Sequence, residues 1–107
     1  MEVKIHPHDF DLPDELSDFV NSNVYLVLAR YSGVVKSVDV ILSARSIGDD
    51  WAKCLFKLKS KQVGPIIAHS IASNIYDAVK SASKRAQRTL EIRLDRKRKL
   101  RRRYYRM

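Results

Sequence analysis

Apolar side chains recur along this chain with two periods, and the switches between them divide it into β-α-β-β-β-α. Val3, Ile5 and Pro7 alternate with Lys4 and His6, the period of a short strand. The acid-rich segment around Pro13 breaks it, and a helical spacing follows: Leu16, Phe19, Val20, Val24, Val27 and Tyr31 predict a first helix over residues 13–30. Asp14, Glu15 and Asp18 suit its first turn, where the helix dipole favours acids, Asp11 is a candidate N-cap, and Ser32-Gly33 ends it. Val38, Val40 and Leu42 mark a second strand, and Ser46–Asp50, with Gly48, reads as a hairpin loop. The strand over Trp51–Lys59 sets Ala52, Cys54, Phe56 and Leu58 on one face and Lys53, Leu55, Lys57 and Lys59 on the other. A Gly64-Pro65 turn leads into a fourth strand over Ile66–Ile71, and Ser73 or Asn74 caps a second helix. Ile75, Val79, Ala82, Ala86, Leu90 and Leu94 form one face of that helix. The economical packing is an α+β two-layer domain, a four-stranded sheet with both helices on one face.

Charge adds a direction to this pattern. Lys80–Arg106 holds 13 of the 21 basic residues against two acids, Glu91 and Asp95, and is +11. Residues 1–79 hold eight bases and ten acids and are −2. Such asymmetry points to a polyanionic partner. Lys80, Lys84, Arg85, Arg88 and Arg93 fall off the apolar stripe of the second helix; the first four are the central candidates for nucleic-acid contact, and Arg93 is a further one. Lys53, Lys57 and Lys59 extend the candidate footprint over the open sheet face, and Arg96 and Arg101 over the tail. After Leu94 the apolar stripe thins, so residues 1–94 are expected as the domain and 95–107 as a basic, flexible arm that orders on binding. Tyr104 and Tyr105 are candidates for stacking on unpaired bases.

Little in the sequence supports catalysis or metal chemistry. His6, His8, His69 and Cys54 complete no metal-ligand pattern, Asp49-Asp50 reads as turn chemistry, and Gly33, Gly48 and Gly64 are isolated. Cys54 falls on an inward strand face and reads as a small core residue. The expectation is no enzyme, no metal and no cofactor. A single cysteine excludes an internal disulfide and suits a reducing compartment. The polar N-terminus shows no signal peptide. The longest apolar run, Val24–Ala29, falls far short of the ~20 residues of a membrane span. A soluble cytoplasmic protein is expected, with no membrane partner.

The ordered set of segments resembles the ribosome hibernation-promoting factors, also called ribosome-associated inhibitors or sigma-54 modulation proteins. Ala68–Leu90 resembles the family's last strand and second helix, through Ile75, Tyr76, Ala78, Val79, Arg85, Arg88 and Leu90. Ser37–Ser43 and Ala52–Leu58 resemble its second and third strands, and Leu16–Val20 with Ala29–Tyr31 its first helix. The resemblance covers about Val3–Leu90 and implies a β-α-β-β-β-α fold of the short form. It further implies a non-enzymatic translation inhibitor, active in stressed cells, that occupies the decoding channel of the small ribosomal subunit over 16S rRNA. Several positions depart from the family's pattern. Ala72-Ser73-Asn74 replaces acids before the second helix. Ala82 and Ala86 replace larger apolar residues, so their volume is expected to come from elsewhere, with helix one as the source. Asn21, Asn23, Tyr25 and Leu26 replace charges, and no threonine caps helix one near Pro13.

Two rival readings come from other classes: a constitutive ribosomal or ribonucleoprotein structural protein, and a membrane-surface module. The second is weak, because the tail offers only Leu100, Tyr104 and Tyr105 for insertion. Val24–Leu28 is apolar at five consecutive positions. Either helix one rolls to bury Tyr25 and Leu26 in the space left by Ala82 and Ala86, or the pair forms a weak self-association patch.

Overall fold

The structure, a computed structural model, describes residues 1–8, 10–44 and 51–105. Its elements are β1 (Glu2–His8), α1 (Asp14–Leu28) with a 3-10 turn (Ala29–Tyr31), β2 (Val35–Ala44), β3 (Ala52–Ser60), β4 (Ile66–Ala72) and α2 (Ile75–Tyr105). The fold is the expected α+β arrangement, with the sheet in the order β1-β2-β3-β4. β1 runs parallel to β2, and the other neighbours are antiparallel. The parallel pair is the connection made through α1, since parallel strands need a crossover. Pro7 lies on edge strand β1, where a missing N–H is tolerated. The loop expected over Ser46–Asp50, including Asp49-Asp50, lies outside the described residues.

Register carries the two-fold alternation across the sheet. Val40 pairs with Phe56, and Phe56 with Ala68, so one face collects Val38, Val40, Leu42, Cys54, Phe56, Leu58, Ile66 and Ala68, all buried. Both helices close over it, with Leu16, Val20, Val24 and Leu28 from α1 and Ala78, Val79, Ala82, Ala86, Leu90 and Leu94 from α2. The largest fully buried side chains of the core come from both layers: Phe56, Leu42, Leu58 and Ile66 from the strands, Leu28 from α1 and Leu90 from α2. Small residues let α2 lie close to the strands. Burial pushes the Cys54 thiol up to about 12, so it stays protonated and inert.

Helix ends follow local chemistry. Asn74 caps α2: its Oδ1 accepts from the Asp77 N–H at 2.9 Å while its Nδ2 donates to Asp77 Oδ2 at 2.8 Å. At α1 the expected Asp11 cap is not used. Pro13 holds the N-cap position in extended conformation without a side-chain cap bond, and its carbonyl accepts from Ser17 N at 3.0 Å. Proline's fixed φ sets the chain's direction into the helix, and Asp14 and Glu15 supply the first-turn acids. Gly64, at φ 74°, makes the β3–β4 turn that other residues adopt only with strain.

Two expectations are corrected. The segment after Leu94 is not irregular: α2 continues without a break to Tyr105. At 1.5 Å per residue its 31 residues make a rod of about 46 Å, which accounts for much of the molecule's 61 Å length. Lys97 Nζ donates to the Gln62 carbonyl at 2.8 Å, and Lys99 pairs with Asp95 one turn back at 3.2 Å, contacts that support the helix past the core. The second correction concerns α1. It does not roll to bury its extra apolar pair: Tyr25 is 57% and Leu26 82% exposed.

Beyond Leu94, itself 8% exposed, no further described side chain of α2 joins the buried core. Truncation after Leu94 is therefore expected to move the thermal midpoint by less than about 4 °C, the shift that roughly 1 kcal/mol produces in a domain of this size. Calorimetry of the truncated and full chains checks this, and a drop of ten degrees or more would show that the distal helix is part of the cooperative fold.

Candidate nucleic-acid interface

At 100° per residue, the side chains of α2 sort into four stripes. Val79, Ala82, Ala86, Leu90 and Leu94 face the sheet. A second stripe leans over β4, the outer strand of the sheet. There Arg85 Nη1 donates to the His69 carbonyl at 3.0 Å and Arg93 Nη1 to the Pro65 carbonyl at 2.8 Å. With Lys97 on Gln62, three cations are anchored to main-chain oxygens of β4 and the turn before it. These bonds occupy carbonyls that an uncovered edge would offer to another strand. They also fix the cations, and a guanidinium with one N–H engaged keeps four more to donate.

The third stripe faces α1. Tyr76 meets Phe19 edge-on with ring centroids 4.9 Å apart, and Lys80 Nζ lies 5.9 Å from the centre of the same Phe19 ring. Farther along, the Tyr31 hydroxyl donates to Glu91 Oε1 at 2.6 Å. That bond to a carboxylate, with partial burial, raises the Tyr31 pKa, and the phenol stays protonated. The fourth stripe is open to solvent and carries Lys84 and Arg88, then Asp95, Lys99 and Arg102. Lys84 and Arg88 have no hydrogen-bond or ion-pair partner among the described residues.

The ten candidate residues therefore do not form one surface. Lys80, Lys84, Arg85, Arg88, Arg93, Arg96 and Arg101 belong to α2. Lys53, Lys57 and Lys59 stand on the sheet face that the helices leave open, on the other side of the molecule. Lys57 lies opposite Asp39, so that face is not uniformly basic. It also exposes Ile67 and Ile71, each 63% accessible, beside Lys57 and Lys53 across the β3–β4 ladder. Edge β4 lies between the two groups, so a polyanion reaching both must wrap around that edge. Side-chain stacking by Tyr104 and Tyr105 lies outside the described residues. No grouping of three or more metal-ligating side chains occurs among the described residues, and no helix is long and apolar enough to cross a membrane.

Alternation in sequence did not reveal a further cationic cluster. Arg30, from the 3-10 turn after α1, meets Lys97, Arg98 and Arg101 of α2 around a concavity. Some 70 residues separate Arg30 from Arg101, and only closure of α1 against α2 brings them together.

Residues 3–100 match the profile of the family described as sigma 54 modulation protein / S30EA ribosomal protein. The chain belongs to this family. Its fold resembles that of the Protein Y N-terminal domain from Thermus thermophilus, with 18% identity, a TM-score of 0.71, and coverage of 83% of this chain and 94% of that one. It equally resembles a ribosomal subunit interface protein from Coxiella burnetii, with 13% identity, a TM-score of 0.72, and coverage of 85% and 94%. No curated protein sequence matches the chain. The family match runs past Leu94 to Leu100, so it includes the first turn and a half of α2 beyond the core.

The open face carries one pH-dependent contact. His6 Nε2 lies 2.9 Å from Asp39 Oδ1, and this hydrogen bond, aided by the positive charges of His6 and Lys4, holds the Asp39 carboxyl below the ordinary 3.8. A depressed carboxylate contributes stability above its unfolded pKa and loses it as pH falls through the folded value. The contribution is thus complete above about pH 4 and disappears below it. His6→Ala is expected to return the Asp39 titration, followed by carboxyl NMR, toward 3.8; an unchanged titration would show that His6 is not the cause.

Proposed function

We propose that the protein binds the small ribosomal subunit and inhibits translation by occupying the decoding channel over 16S rRNA. The observation that carries this reading is the unpaired Lys84–Arg88 face of α2, held on a rigid helix in a family whose description includes a ribosomal protein. One structural neighbour is itself a ribosomal subunit interface protein, which supports the same direction. Lys84 and Arg88 supply the central phosphate contacts. Arg85 and Arg93, pre-positioned by the β4 carbonyls, present their remaining N–H groups beside them, with Lys80 and Arg96 flanking. Lys53, Lys57 and Lys59 take part where rRNA folds around the β4 edge, and Arg101 extends the footprint along the distal helix.

The mechanism is occupancy. Phosphate contacts fix position and orientation without reading sequence, and folded RNA is recognised mainly by shape. No reaction is required of the protein, and it acts in the cytoplasm as a hibernation factor in stressed cells. Residues 95–107 act in this reading as an affinity arm, already helical through Tyr105 before any partner is met. A constitutive ribosomal or ribonucleoprotein component is the alternative. A sucrose-gradient profile separates the two: a hibernation factor appears on idle ribosomes of stationary cells, a structural component on ribosomes at every growth phase.

Binding to isolated small subunits is expected to be strongly electrostatic. Six to ten phosphate contacts would cost ~10³–10⁵ in affinity as salt rises from about 50 to about 200 mM. A nearly flat salt titration would exclude this mode of binding. Lys84→Glu with Arg88→Glu is expected to abolish binding with a native circular dichroism spectrum. The pair is a cleaner probe than Arg85, whose loss also frees the His69 carbonyl.

Self-association through Tyr25 and Leu26 belongs to the same proposal, because both are exposed. Tyr25→Ser with Leu26→Lys is expected to cost less than about 0.5 kcal/mol, as surface changes do. In sedimentation it should remove any concentration-dependent dimer of the parent chain. A parent that is monomeric at every concentration rules the patch out.

A further inference from the structure

We propose that the concavity between the 3-10 turn after α1 and the distal part of α2 is a binding site for a free nucleoside polyphosphate. It encloses about 470 Å³, within the roughly 300–1,000 Å³ typical of small-molecule sites and suited to one nucleotide. Four cations line it: Arg30, Lys97, Arg98 and Arg101. Between them lie Tyr31, Val34 and Leu94, the first two half-buried and the third buried. A cationic rim beside an apolar floor matches a ligand with several phosphates at one end and a base or sugar at the other.

The cations are not there to balance acids. Glu91, on the flank of α2 nearest Tyr31, has its carboxylate engaged by the Tyr31 hydroxyl at 2.6 Å and by Gln87 Nε2 at 3.3 Å. Asp95 is taken by Lys99, on the solvent stripe. Four like charges facing one cavity repel, and an anion of three or four charges relieves that repulsion at the site itself. Two of the four are also held in place. Lys97 is fixed by the Gln62 carbonyl, and the Arg30 guanidinium carbon lies 5.6 Å from the centre of the Tyr31 ring. Pre-positioned charges lose less freedom on binding.

This site does not use the Lys84–Arg88 face, though Lys97, Arg98 and Arg101 also belong to the distal arm of the ribosome reading. It lies about 15 Å farther along α2 than Arg88, at 1.5 Å per residue, between the 3-10 turn after α1 and Gln62 of the β3–β4 turn. Phosphates of a free nucleotide and of an RNA strand share the chemistry that would fill it. A volume suited to one nucleotide and an apolar floor beside the cations favour the free ligand.

Titration calorimetry of the full chain at about 150 mM salt, where exposed charges are screened beyond ~8 Å, tests the proposal. ATP, GTP, inorganic tripolyphosphate and a short single-stranded RNA are the probes. The expected result is saturable 1:1 binding of ATP or GTP, with tripolyphosphate weaker because it leaves the apolar floor empty. Arg30→Gln with Arg98→Gln should weaken nucleotide binding on the order of 100-fold, the loss of two charge-assisted contacts, with an unchanged melting temperature. Arg30→Lys with Arg98→Lys should recover most of it, and Lys84→Gln with Arg88→Gln should change it less than about threefold, as an uninvolved distant pair does. Several results overturn the proposal. They are absence of saturation, equal losses from the two glutamine pairs, tripolyphosphate binding as tightly as ATP and GTP, or RNA binding that depends on Arg30 and Arg98 while nucleotides fail to bind. The titration is read on the free chain without ribosomes, which keeps this test independent of the ribosome assay.

Discussion

The structure depends on the seating of α2 on the sheet. This helix carries most of the chain's positive charge, and like charges one turn apart each cost a few tenths of a kcal/mol. Burial of Val79, Leu90 and Leu94 returns about 1.5–3 kcal/mol per large side chain, so over this stretch packing outweighs repulsion. Ala82 and Ala86 are the condition for it. Larger residues there would hold the helix off the strands, and Phe56, Leu58 and Ile66 would lose their cover. Beyond Leu94 no comparable burial opposes the repulsion, and the helix rests on its own hydrogen bonds, the Asp95–Lys99 pair and the Lys97 anchor.

The same helix solves the problem of the exposed sheet edge. β4 is an edge strand, and it presents Ile67 and Ile71 on its open face, a combination that invites pairing with another chain. Arg85 lies over the His69 carbonyl of β4 and Arg93 over that of Pro65 just before it, so another strand must displace charged side chains to add there. β1, at the opposite edge, relies instead on Pro7 and on exposed Lys4 and His6. Two edges are thus protected by different chemistry, and on the β4 side the protective residues are also candidate RNA contacts. Charge placed for binding therefore serves stability as well, which is why substitution of Arg85 cannot separate the roles and substitution of Lys84 and Arg88 can.

The fold was legible because each element had one dominant period. The strands alternate cleanly at Ala52–Leu58, α2 repeats at three and four from Ile75 to Leu94, and the turn residues Gly64 and Asn74 stand where the chain reverses or a helix begins. What was not legible depended on contacts between elements. Periodicity ends at Leu94 because burial ends there, yet the backbone goes on as helix, so a stripe that stops marks the end of the core and not of the helix. The helical spacing of α1 could not say how it would roll, and Tyr25 and Leu26 stay outside. Alternation also placed Lys53, Lys57 and Lys59 on the open sheet face, away from the helices, where the structure has them. The Arg30 cluster joins two segments that share no local pattern.

Contacts along the helix pair show a polarity that single residues do not. Phe19 meets Tyr76, and Tyr31 meets Glu91, so α1 and α2 run side by side in the same direction. Their N-terminal ends lie together and carry Asp14, Glu15 and Asp77; their C-terminal ends carry Arg30, Lys97, Arg98 and Arg101. Acids in the first turn suit the macrodipole of each helix and are favourable locally. Because the helices are parallel, the arrangement adds up along the molecule and makes an acidic pole and a basic pole. A polyanion is repelled by the first and attracted by the second. For the polyanionic partner proposed above, encounter would be oriented before any specific contact forms, with the distal end of α2 leading and the acidic start of α1 turned away. The sign segregation that the sequence shows as −2 over residues 1–79 and +11 over Lys80–Arg106 becomes, in the folded chain, a polarity along the molecule, and it follows from running two ordinary helices in the same direction.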